Sequence, residues 1–223
     1  MAKGRHLFDE QARERRRWTL WALAACAAAG LIMLFNLGTT AQLKIQETWF
    51  GLRGPRNPSP QVAIVGIDGK SLNAIDERWP WPRDAYVPLI EKLNQAGVKV
   101  IGFDITFSKS TPEDAAFADA MRAQGNVVFG MVFNDAGDQS PPSMAAPPEV
   151  AAHAVPPYDS SFLNVIPAPG VEPPAPELAD AAAAIGHVVM LASVDGTLRR
   201  VPTLIRYGNR SYPSFSLQMA RVY

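Results

Sequence analysis

Apolar residues gather in this 223-residue chain into one long run and several short ones. The long run, residues 18–37, reads WTLWALAACAAAGLIMLFNL, 20 residues without a charge. A helix that crosses a bilayer needs about 20. The short runs are VAIVGID (62–68), VKVIGFDITF (98–107) and NVVFGMVF (126–133). They are rich in β-branched residues and predict strands buried on both faces. Helical spacing fills the gaps between them. Tyr86, Leu89, Ile90 and Leu93 recur at i, i+3, i+4 and i+7, so one stripe faces the core. Pro88 falls in the first turn, where proline costs little, and Gly97 suits the C-terminal cap. A second helix opens at STPEDAAFADAMRAQG. Thr111 caps it, Pro112 takes the first helical position and Asp114 completes a capping box. Phe117, Ala118 and Met121 make its inner face, and Gly125 ends it. Strand–helix–strand–helix–strand at this spacing predicts a parallel sheet with right-handed crossovers.

Beyond residue 133 the pattern changes. Eleven of the 20 prolines fall between 141 and 176, so 134–176 reads as a long irregular surface loop with weak strand potential at SFLNVI. PELADAAAAIG predicts a short helix packed through Leu178 and its alanines. HVVMLAS and LRRVPTLIRYG flank VDGT, and Asp195-Gly196 is a hairpin signal, so these strands are expected to be antiparallel. Asn209-Arg210-Ser211 marks a further turn. SYPSFSLQMARVY predicts a helix from near Ser214 with no cap or breaker before its end, so the chain reads as part of a longer protein. The expected fold class is α/β: a mainly parallel sheet flanked by helices, a C-terminal antiparallel hairpin, and one transmembrane helix ahead of them.

Charge gives the long run a direction. The arm before it, KGRHLFDEQARERRR, holds six Lys/Arg against three Asp/Glu, a net of +3. By the positive-inside rule that arm is cytoplasmic, with Trp18 and Trp21 at the inner headgroup level. The resulting division is a cytoplasmic basic arm (1–17), a transmembrane helix (18–38), a juxtamembrane connector ending in GPRNPSPQ (39–61) and an extracytoplasmic domain (62–223). The implied location is the cytoplasmic membrane, with the domain facing the periplasm or the extracellular side. A cleaved signal peptide, with Thr39 and Ala41 as small residues at the cleavage site, is the rival reading; signal h-regions run shorter than this, about 7–15 residues.

Composition removes several function classes. Apolar residues make up 48% of the chain, enough for a core, and the 21 basic residues balance the 21 acidic ones. A nucleic-acid binder usually presents a basic face, so none is expected as a partner. Cys26 is the single cysteine, which rules out a disulfide framework or a cysteine metal site. His6, His153 and His187 are far apart and lack ligand spacing. GxGxxG, GxxxxGK[ST] and GxSxG are absent, so neither nucleotide nor acyl chemistry is indicated, and no cofactor is identified.

One short stretch concentrates chemistry. Residues 79–83 read Trp-Pro-Trp-Pro-Arg. Asp68 and Asp104 each end an apolar strand, which in a parallel sheet puts both at the carboxyl edge where ligands bind. The proline-stiffened connector can cover that edge, Trp81 excluding water and Arg83 reaching the acids. Three readings stay open. Arg83 is a structural partner of Asp68 or Asp104; or the acids, with Asp195, form a ligand or cation site; or Arg83 reads an anion. None of these is a catalytic constellation. His187 reads as a half-buried core histidine, and Arg199-Arg200 as one residue on each face of a strand.

These residues resemble a known family, the sensor domains of the second CHASE type, which are extracellular modules associated with cyclases and histidine kinases. The resemblance lies in VAIVGIDGKSL, RWPWPRDAYVPLIEKLNQAGVKVIGFDITF, GNVVFG, PELADAAAAIGHV, DGTLRRVPTLI and YPSFSLQMA, and runs from about residue 43 to the end. The 134–176 insert is longer and richer in proline than the family's pattern. The resemblance implies the input domain of a bacterial transmembrane receptor, without catalysis of its own. It also implies a homodimer and, elsewhere in the protein, a cytoplasmic adenylate or guanylate cyclase, or a histidine or Ser/Thr kinase. A membrane-anchored scaffolding module of the cell envelope is the alternative from another class.

Overall fold

The computed structural model describes residues 2–34, 37–75, 78–142, 144–156 and 165–223. The chain divides into two compact units, Met1–Val65 and Gly66–Tyr223.

The first unit is helical. α1 spans Ala2–Leu34 and α2 spans Leu37–Arg53. Gly54, at φ 69°, ends α2 in the left-handed conformation that glycine adopts without penalty, and its N–H bonds to the Phe50 carbonyl at 3.2 Å. The expected anchor at 18–38 includes Phe35 and Asn36, which lie outside the described residues. Among the described residues no helix is long and apolar enough to cross a membrane. The part of the apolar run that α1 carries keeps Trp18, Trp21, Leu23 and Met33 exposed.

The second unit is a mixed α/β domain. Its elements are α3 (Gly69–Ala74), a 3-10 turn (Arg83–Tyr86), α4 (Val87–Gln95), β1 (Ile101–Phe103), α5 (Asp114–Gln124), β2 (Val127–Asn134) and α6 (Pro148–Ala151). There follow β3 (Ile166–Pro167), β4 (Gly170–Glu172), α7 (Pro176–Ala181), β5 (Ala184–His187), β6 (Leu191–Ala192), β7 (Leu198–Arg200), β8 (Leu204–Tyr207), β9 (Arg210–Pro213) and α8 (Phe215–Val222). The helices at 87–95 and 114–124 fall where periodicity puts them. Ile90, Phe117, Ala118 and Met121 are wholly buried, and Gly125 closes α5 at φ 68°.

The expected mainly parallel sheet is corrected to a mixed one. β2 sits centrally, with β1 and β5 parallel to it, while β4 from the proline-rich insert runs antiparallel along its second half. Composition could not reveal β4, because a three-residue strand of Gly-Val-Glu carries no periodic signal. Part of the insert, 157–164, including most of SFLNVI, lies outside the described residues. The Asp195-Gly196 hairpin forms between β6 and β7, and β8 and β9 make a second one.

The larger correction concerns VAIVGID. It is not a buried strand. No strand forms at 62–68 among the described residues. β-branched apolar residues suit a strand, but nothing in them names a neighbour for it. VKVIGFDITF yields only the short β1. His187, expected to be half-buried, is wholly buried.

Two glycines show how tightly α8 is seated on the sheet. A Cβ built on Gly186 would lie 2.6 Å from the Phe215 Cα and 2.7 Å from its nitrogen. Because the obstacle is backbone, it cannot swing aside. Gly186→Ala is therefore expected to cost about 1–3 kcal/mol, the usual penalty of overpacking. Urea unfolding of the full chain in detergent checks this, and an unchanged midpoint would mean that α8 can lift away. At Gly102 the obstacles are the Met219 and Phe215 side-chain ends at 2.7 Å, which can move, so the same change there is expected to be milder.

Candidate functional site

The Trp-Pro-Trp-Pro-Arg connector leads into the 3-10 turn, where Pro82 sets an extended approach at φ −61° and ψ 153°. The Trp79–Pro80 peptide bond is cis. Trp81 is 8% exposed and meets Trp79 edge-on, with ring centroids 5.4 Å apart. On its other side it meets Tyr86 at 6.3 Å. Tyr86 in turn packs against Phe103, Phe107 and Phe117, centroids at 5.9, 5.3 and 5.7 Å. Such tilted and edge-to-face pairs add stabilisation beyond the area they bury. Burial pushes the Tyr86 phenol upward in pKa, with the nearby Arg83 charge pulling weakly the other way.

Arg83 opens the 3-10 turn and meets the same cluster through Phe107. Its Nε donates to Asp114 Oδ1 at 3.2 Å and one terminal nitrogen donates to the Lys109 carbonyl at 3.3 Å. Its guanidinium lies 4.3 Å from the centre of the Phe107 ring. The side chains of Arg83 and Asp114 are only 10% and 2% exposed. Asp114 Oδ2 also accepts from the Thr111 N–H at 2.9 Å, and Oδ1 from the Thr111 hydroxyl at 3.0 Å. The carboxylate thus ties the turn that opens α5 to the connector. Arg83 thus pairs with Asp114. Neither Asp68 nor Asp104, the alternative partners in the first of the three readings, pairs with it among the described residues.

The other acids lie elsewhere. Asp68 is the N-cap of α3; its Oδ1 accepts from Lys70 N at 3.1 Å, Ser71 N at 3.0 Å and Ser71 Oγ at 3.0 Å. Those bonds, the Ser71 amide first, hold its carboxyl below the usual range. Asp104 follows β1, is exposed, and makes no hydrogen bond or ion pair among the described residues. Asp195 makes a two-pronged pair with Arg199, at 2.7 and 2.8 Å, and accepts from Thr197 N at 3.1 Å. The Arg199 guanidinium and then the Thr197 amide keep it well below the ordinary carboxylate range. Trp81 and Arg83 each join the aromatic cluster, Trp81 through Tyr86 and Arg83 through Phe107; Asp68 and Asp195 are each committed to local turns. Among the described residues no group of three or more His, Cys, Asp or Glu is placed to hold a metal.

Three buried polar groups carry more than the sequence reading assigned to them. Asp114 was visible only as a capping residue. His187 accepts from Val189 N at 3.3 Å through Nδ1, while its Nε2 is buried without a partner. Gln218 donates to the Ile185 carbonyl at 2.8 Å and the His153 carbonyl at 3.3 Å, which fastens α8 to β5. A cleft of about 590 Å³ lies between the proline-rich insert and the β8–β9 hairpin, lined by Pro142, Met144, Pro148, Tyr207 and Arg210 among others.

Among the described residues the buried Arg83–Asp114 pair and the aromatic cluster around Tyr86 join the connector to the start of α5 in a mixed α/β domain. The chain belongs to the CHASE2 domain family, whose model matches residues 22–223. CHASE2 domains are sensory domains of receptors and are not themselves catalytic. No curated protein and no solved structure shows significant similarity to the chain.

Proposed function

We propose that this chain is the extracytoplasmic signal-input part of a bacterial transmembrane receptor, anchored by the apolar run at 18–37. The single observation that carries the reading is the family match over 22–223, which begins inside that run. The net +3 arm ahead of it supports a cytoplasmic N-terminus. In the full-length protein the input is coupled to a cytoplasmic adenylate or guanylate cyclase, or to a histidine or Ser/Thr kinase, as the resemblance implies.

A stimulus moves such a domain only as far as it binds one state better than another. The parts suited to move are the proline-rich insert and the connector at 39–61, while the Arg83–Asp114 pair keeps the middle of the domain rigid. Topology is the test. Alkaline phosphatase fused after Gly130 is expected to be active and β-galactosidase fused at the same place inactive. The reverse pattern would place the domain in the cytosol and remove the receptor reading.

A further inference from the structure

The cleft between the proline-rich insert and the β8–β9 hairpin is built wholly from the unit Gly66–Tyr223 and shares no residue with the aromatic cluster around Tyr86. Its volume, about 590 Å³, falls in the range of small-molecule sites, about 300–1,000 Å³. One wall is the insert, with Pro142, Ala145 and Ala151; the other is the turn from Tyr207 to Arg210. Two hydrogen bonds set the spacing of the walls. Tyr207 Oη donates to the Met144 carbonyl at 2.8 Å, and a terminal nitrogen of Arg210 donates to the Ala151 carbonyl at 3.2 Å. The Tyr207 ring is buried and packs on Phe133, centroids 5.6 Å apart, so the hairpin wall is seated on the core. Val150, next to Ala151, is buried and seats the other wall. A cleft whose walls are already tied costs a ligand little ordering entropy.

The lining is apolar except around the hairpin turn. Arg210 carries the only charge among the described residues that line it, and Glu149 of α6 lies outside the lining. One N–H of Arg210 reaches Ala151; its others meet no acceptor among the described residues. The neighbouring Asn209 side chain likewise makes no hydrogen bond among the described residues. A guanidinium presents parallel N–H donors that match the two oxygens of a carboxylate. A cation is repelled from this end, and a phosphate dianion finds one positive charge where two would balance it. An apolar body behind the carboxylate fits the proline and alanine wall.

We propose that this cleft binds an organic monocarboxylate, with its carboxylate on Arg210 and its apolar body against Pro142 and Ala145. Such a ligand touches both the insert and the hairpin, so it favours the state in which they stand at this spacing. The inference gives the sensory reading a ligand class and rests on that reading for its purpose. Binding itself does not depend on which side of a membrane the domain faces, so the fusion test and the binding test fail separately.

Fluorine NMR of para-fluorobenzoate with the full chain in detergent tests it, with para-fluorobenzamide as the uncharged analogue of the same shape. The benzoate is expected to bind saturably, and the benzamide about tenfold or more weakly. Arg210→Gln is expected to weaken benzoate binding by about the same factor and to leave the benzamide unchanged. Ala145→Trp, a bulky side chain at an exposed position of the wall, is expected to weaken both. Equal binding of the two probes by the unmodified chain overturns the proposal whatever the variants do. So does benzoate binding that survives either substitution, or the absence of saturable benzoate binding.

Discussion

Asp114→Ala is expected to destabilise the domain by about 3–5 kcal/mol, the cost of breaking a buried ion pair by removing one partner. The substitution leaves the guanidinium of Arg83 buried against Phe107 with, among the described residues, only the Lys109 carbonyl to receive its hydrogen bonds. It also removes the acceptor for the Thr111 amide and hydroxyl, so the start of α5 loosens at the same time. Replacing both partners with apolar residues of similar volume, Arg83→Met with Asp114→Leu, is expected to recover much of the loss, because no uncompensated charge remains. Urea unfolding of the two variants decides the matter. If the single variant costs less than the double, the pair does not hold the fold.

Acidification is the second large effect. Burial depresses the His187 imidazole from its ordinary 6.5 to about 4. The unfolded chain therefore takes up this proton at a higher pH than the folded one. Stability from the neutral imidazole is complete above about pH 6.5 and falls as pH drops toward about 4, where the folded form also protonates. The window is worth about 3 kcal/mol. His153 shifts in the same direction, through its own burial and then the nearby Arg221 charge, so it adds to the slope. Asp68, Asp138 and Asp195 act lower: their depressed carboxyls stabilise the fold above the carboxylate range and lose that contribution only as pH falls below it. His187→Leu is expected to flatten the fall between pH 6.5 and 4 and leave the residual slope of His153. Unfolding free energies measured at intervals across that range check the prediction; a slope unaltered by the substitution would exclude His187 as its source.

What could be read before folding was local. Gly125 ending α5, the Asp195-Gly196 turn, Pro88 in the first turn of α4 and the stripe through Ile90 all follow from sterics or periodicity within a few residues. Asp114 was also read locally, as the acid of a capping box, and Thr111 N does bond to it. Its longer-range role was hidden. Arg83 and Asp114 are 31 residues apart, and nothing in either neighbourhood shows that the connector crosses the mouth of α5. Asp68 and Asp104 looked better placed only because VAIVGID was read as a paired strand, which put both acids at one sheet edge. Hydrophobicity reports that a segment benefits from burial and is silent on what buries it. His187 shows the same limit: a histidine between apolar neighbours does not disclose whether both ring nitrogens find partners.

The edge-on contact of Trp79 and Trp81, 5.4 Å between ring centres, carries an optical consequence. Two indoles this close and this strongly inclined couple their electronic transitions, and their fixed handedness gives the native chain a circular-dichroism signature in the aromatic region. Trp18, Trp21 and Trp49 stand 74%, 67% and 69% exposed and contribute little chirality of their own. The spectrum thus becomes a gauge of whether the indole pair is seated against Tyr86, readable without any label.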